Sequence, residues 1–129
     1  MLKNIIEQIA MAASELPNVG QIVIGSPFRL NTIPETKYSV IIIEHTTSRQ
    51  DGDWINIGVD VTYVDRLDDN HEDIHDTGVN ALHYILTKLQ DEYTCTATMN
   101  VFEQRFKDLT AGVIMNLQIK LPSWTCIEE

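Results

Sequence analysis

Residues His71-Glu72-Asp73-Ile74-His75 read H-E-x-x-H. Histidines at i and i+4 share one face of a helix and can bind zinc, while the glutamate between them activates the bound water. Gly78 carries the pattern towards the longer H-E-x-x-H-x-x-G-x-x-H form, but the third ligand position is Ala81, and His83 falls two residues late. Glu92 lies past the expected end of the helix. Such motifs sit in apolar, buried helices, whereas Asp73 and Asp76 put charge beside this one. Asn70 reads as the helix N-cap, which places His71 at an exposed helix end. Two solvated histidines at a helix start is the favoured reading, with no metal and no cofactor. A small zinc metallohydrolase using His71, Glu72 and His75 is the alternative.

No other catalytic grouping stands out, and no catalytic residue is assigned. The chain has no G-x-S-x-G elbow and no glycine-rich phosphate loop. Cys95 and Cys126 lack metal-like spacing and read as free thiols in a reducing cytoplasm. Between Asp60 and Asp76 the acids crowd around a single base, Arg66, without the D-x-[DN]-x-[DN]-G spacing of a calcium loop. A solvated acidic edge follows.

Composition narrows the classes further. A chain of 129 residues forms one domain, residues 1–129, with enough material for a hydrophobic core. Nineteen acids against nine bases give a net charge of −10, and no Lys/Arg cluster exists to grip phosphates. An acidic surface can still stand beside DNA if its task is to let DNA slide past. Glu7 and Gln8 interrupt the apolar N-terminus, and apolar runs such as Val40 to Ile43 are far too short to span a membrane. The expected setting is the cytosol, or a particle assembled there.

Apolar residues at Leu2, Ile5, Ile6, Ile9, Ala13 and Leu16 predict a helix over 1–16, ended by Pro17 and Gly20. A weak strand follows over 21–30, then a loop containing Pro34. The run YSVIIIEH (38–45) is the strongest strand signal, because β-branched residues favour a pleated surface. Residues 46–53 read as a polar turn around Asp51-Gly52. Over 54–64, Ile55, Ile57, Val59, Val61 and Tyr63 alternate with polar residues, so the pair of strands forms a long hairpin with one wet face. The chain then leaves the sheet over 65–70. A helix ending near Gln90 presents Ile74, Leu82, Ile85, Leu86 and Leu89 on one side, with Asp73 and Asp76 near its positive end. Strands over 94–101 and 113–121 complete the pattern, joined by a long connection over 102–111. The fold class is α+β: a largely antiparallel sheet of about five strands with two helices packed on one side.

Two sequence words carry a resemblance. One is TYVDRL (Thr62 to Leu67) before the acidic turn with Asn70. The other is the run F-x-x-R-F-x-D-x-x-A-G, here Phe102, Arg105, Phe106, Asp108, Ala111 and Gly112. Together they resemble head-to-tail connector (neck) proteins of tailed bacteriophages of the crAss-like type. The likeness covers most of the chain and is specific between residues 59 and 121. It implies a tail-terminator-like fold that polymerises as a ring, contacting portal and neighbouring tail proteins while DNA passes through without sequence-specific binding. It also implies that Asp65, Arg66, Phe102, Arg105, Phe106 and Asp108 fix hairpins or form oligomer interfaces. A general protein-interaction adaptor is the further alternative.

Overall fold

The strongest β-forming run, Val40 to Ile43, lies at the heart of a five-stranded sheet, because both faces of the sheet are covered there and every one of its residues is buried. The structure, a computed structural model, describes residues 2–26, 29–30, 38–66, 71–105 and 109–122. Its elements are α1 (Leu2–Ser14), β1 (Gln21–Ile24), β2 (Val40–Asp51), β3 (Trp54–Arg66), α2 (His71–Gln90), β4 (Thr94–Arg105) and β5 (Leu109–Pro122). The strand order is β1-β2-β3-β5-β4; β1 runs parallel to β2, and the other neighbours are antiparallel.

Both helices lie on one face. The main core joins Ile5, Ile9 and Ala13 of α1 to Ile74, Leu82, Ile85 and Leu89 of α2 over the inward side chains of the sheet. On β3 these inward residues are Ile57, Val59, Val61 and Tyr63, in the expected alternation, but the opposite face is not wet: Gly58, Thr62 and Val64 are buried and Asn56 and Asp60 are half-buried. A smaller cluster covers one end of the opposite face: Val23, Leu30, Val40, Ile42 and Val64, flanked by Tyr38 and Phe102. The rest of that face is mostly polar, apart from Trp54 and Ile114, with Asn116 donating from Nδ2 to Asp60 Oδ1 at 2.6 Å.

Four sequence-based boundaries are corrected. Residues 46–51 are strand, not turn: β2 pairs with β3 out to Asp51↔Trp54, and only Gly52 and Asp53 form the tip, with Gly52 at φ +63°. Residues 45–50 of β2 are all exposed, so water meets both faces of this part of the strand and no apolar alternation is imposed on it, while its β3 partner Ile57 stays buried. A register shift between His45 and Thr47 marks a bulge there. Asp65 and Arg66 stay in the sheet, opposite Ala111 and Thr110. The stretch expected as a long connection is instead a hairpin, with β4 continuing to Arg105 and β5 starting at Leu109. An edge strand with water beside it tolerates Glu103 and Arg105, which is why charge there misleads. The expected strand over 21–30 shrinks to β1, which stops where Gly25 turns at φ +128°. Asn70, Phe106, Asp108 and Cys126 lie outside the described residues.

Candidate functional site

The sequence-selected residues that the structure describes converge at one end of the sheet, where β2 begins, β3 and β4 finish, and α2 starts. Ser39 is the hub. Its carbonyl accepts the backbone N–H groups of Gly20 (2.7 Å) and Gln21 (3.3 Å), fastening the segment after α1 to the start of β2. Its buried hydroxyl donates to Asp65 Oδ2 at 3.1 Å and accepts from the Tyr63 phenol at 2.8 Å. Asp65 Oδ1 in turn accepts the backbone N–H of Arg66 at 2.8 Å. A hydrogen-bonded chain therefore runs from Tyr63 through Ser39 to Asp65, across the open mouth of the β2–β3 hairpin.

Arg66 lies over the Tyr38 ring, 5.4 Å from its centroid. Phe102 packs beside Tyr38 in the smaller apolar cluster and pairs across the ladder with Gly112. A side chain at Gly112 would run into the carbonyl oxygen of Tyr63, and its Cβ would sit 3.1 Å from the Phe102 ring. The F-x-x-R-F-x-D-x-x-A-G spacing thus folds back on itself: Phe102 covers Gly112, Glu103 faces Ala111, and Arg105 faces Leu109. An aromatic ring laid over a cross-strand glycine restores packing that the glycine lacks.

A cleft of about 320 Å³ opens beside the hub, lined by Asn18, Ser39, Tyr63, Asp65, Asp73, Ile74 and Thr77. It adjoins a second hollow of about 390 Å³ that shares Asn18, Tyr63 and Thr77 and reaches Tyr84 on the α1 side of α2. There the Tyr84 phenol donates to Glu15 Oε2 at 2.8 Å and ties α2 to α1. Burial raises the pKa of Tyr63, partly offset by its bond to Ser39, so the phenol stays protonated and serves as a donor. The Ser39 hydroxyl points at a carboxylate already held by Arg66 N–H. The arrangement orders the end of the hairpin; it does not prepare a nucleophile.

His71 and Glu72 open α2, and His75 lies one turn on. His75 Nε2 faces the Phe102 carbonyl oxygen at 3.5 Å, a contact to β4. Among the described residues no group of three His, Cys, Asp or Glu side chains converges as a metal ion would require. Cys95 is a buried free thiol whose pKa is raised by burial. None of the described helices is long and apolar enough to cross a membrane.

Sequence reasoning overlooked Ser39 and assigned Tyr63 only to the core. A signal existed for Tyr63, the one aromatic on an otherwise aliphatic inward face of β3: a buried phenol needs a hydrogen-bond partner. No protein-family model matches the chain, and comparison with curated proteins finds no match.

Proposed function

We propose that this chain is a structural subunit of a bacteriophage virion, a tail-terminator-like protein that forms a ring in the neck between portal and tail. The observation that carries this reading is the architecture: four strands of 12 to 14 residues with both helices on one face. At about 3.4 Å per residue each strand approaches 40 Å, which gives a small domain arms that reach its neighbours. The resemblance in residues 59–121 supports the same assignment.

The polar second face of the sheet and the net charge of −10 suit a wall past which DNA phosphates slide without sticking. Asp65, Arg66 and Phe102 gather at one end of the sheet, with Arg105 ending β4 nearby, so a neighbour docking there would meet a rigid corner. Ring closure requires different patches on the two sides of each subunit.

The test is deletion of the coding sequence from the parent phage, with electron microscopy of the particles. Filled heads without tails, restored by the wild-type gene supplied in trans, are the expected result. Complete, infectious virions lacking this chain would overturn the assignment. Arg105→Glu should fail to restore tails while the isolated domain still folds.

A further inference from the structure

The two helices do not cover the sheet evenly. α2 lies chiefly over β5, so β4 projects past it at the edge of the sheet. Two hydrogen bonds mark the flank of α2 that faces β4. His75 Nε2 donates to the Phe102 carbonyl at 3.5 Å, and Gln90 Nε2 donates to the Cys95 carbonyl at 3.2 Å. Val79 and Leu86 lie on that same flank, within an arc of about 60° around the helix. Along β4, Ala97, Met99 and Val101 follow Cys95 on the helix-bearing face by simple alternation. Leu86, Ala97 and Met99 are half-buried, while Val79 is 38 % and Val101 58 % exposed. A strip of five apolar side chains therefore runs along this side of the molecule.

The strip borders a long strand edge. Among the described residues β4 pairs only with β5, over 12 residues and without a register shift. No charged residue and no proline occurs between Glu92 and Glu103. Side chains reach its backbone at Cys95 and Phe102, with Thr96 to Val101 lying between them. The opposite edge is built differently. There β1 has four residues, turns away at Gly25, and has its Ile24 carbonyl occupied by Arg29 Nη1 at 2.5 Å. Proteins block long sheet edges with charge, proline, bulges or a cover. Among the described residues β1 is blocked in this way and β4 is not.

The geometry points to β4 as a self-pairing edge: two copies of this chain join β4 to β4, antiparallel across a two-fold axis, in one continuous sheet. Only an extended strand answers a row of alternating backbone N–H and C=O groups. A second copy supplies one of equal length. Because the middle of β4 is uncharged, a chain of net charge −10 meets itself there without like charges at the seam. The exposed Thr94, Thr96 and Thr98 offer hydroxyls for cross-strand pairs on the open face.

An edge about 40 Å long and one sheet layer, about 10 Å, deep gives a footprint of about 400 Å² per partner, to which the apolar strip adds, the size of a weak, concentration-dependent interface. The two α2 axes would stand three strand spacings apart, about 14 Å, so helices about 10–12 Å across clear each other. This pairing does not rest on the neck reading.

The experiment is native mass spectrometry and sedimentation of the full chain over a concentration series, with hydrogen exchange followed along β4. A dimer is expected, with β4 amides that become protected as dimer forms. Val101→Lys and Thr98→Lys change exposed positions and should raise the dissociation constant about tenfold or more. Their folded monomers should melt as the wild-type monomer does. Met11→Lys, at a 67 % exposed position on α1, should leave the dimer intact. A wild-type monomer at every concentration would overturn the inference. So would an assembly that both β4 variants leave unchanged, that Met11→Lys disrupts, or whose β4 amides exchange freely.

Discussion

Removing the Ser39 hydroxyl should destabilise the domain more than removing the Tyr63 hydroxyl, although the two groups share one hydrogen bond. Ser39→Ala leaves the Tyr63 phenol without its acceptor in a residue only 2 % exposed, and an orphaned buried polar group costs about 1–3 kcal/mol. Asp65 also loses a donor, but it is half-buried and its carboxylate can recover water, whereas Tyr63, on the same cleft, is buried. In Tyr63→Phe the ring still fills its place in the core, and the Ser39 proton still has Asp65 to accept it. Only one net hydrogen bond is lost, about 1 kcal/mol. Taking about 2 kcal/mol for Ser39→Ala, the double variant should cost less, about 1 kcal/mol, since no orphan remains. The coupling is then about 2 kcal/mol. For a domain of this size each kcal/mol corresponds to roughly 3–5 °C in melting temperature. Urea unfolding followed by tryptophan fluorescence and circular dichroism, at a concentration where the chain is monomeric, measures all four corners of the cycle. Tyr63→Phe costing as much as Ser39→Ala, or single costs that add to within about 0.3 kcal/mol, would refute the hydrogen-bonded chain described here.

Gly112→Ala should be the most damaging single-methyl change, because its Cβ meets the Tyr63 backbone, which cannot swing aside as a side chain can. A loss of about 3 kcal/mol or more is expected in urea unfolding, and a loss below about 1 kcal/mol would show that the strands separate freely there. Gly78→Ala should cost less, about 1–2 kcal/mol, since the atoms it meets belong to the side chains of Val113 and Tyr63 and the helix gains propensity. The raised pKa of Tyr63 makes the folded state hold the phenolic proton more tightly than the unfolded chain does. That stability is fully present below pH 10.0, the unfolded value, and falls as pH rises through the folded one. Melting curves above pH 10.0 should therefore decline less steeply in Tyr63→Phe than in wild type. In a Cys126→Ser background, Cys95 should react with a thiol reagent slowly when folded and rapidly in urea; fast labelling of the folded protein would contradict its burial.

The sequence by itself determined the helices and the inward face of the long strand, because each depends on local periodicity. Ile5, Ile9 and Ala13 recur at helical spacing, and Ile55 to Tyr63 alternate with period two, so burial of one face is written into the order of residues. It also marked the Phe102 to Gly112 run as unusual, without showing that its two ends stack on each other. What it left out depends on which segments become neighbours. The polar stretch from Thr46 to Asp51 is strand only because β3 lies beside it, and a strand that is wet on both faces carries no apolar signature. Ser39 and Asp65 stand 26 residues apart, and neither is distinctive where it sits in the chain. Only the pairing of β2 with β3 brings the hydroxyl, the phenol and the carboxylate together. The same holds for the flank of α2 and the edge of β4: Val79 and Val101 are ordinary residues of a helix and a strand, and placing α2 over β5 is what leaves both of them exposed along one side of the molecule.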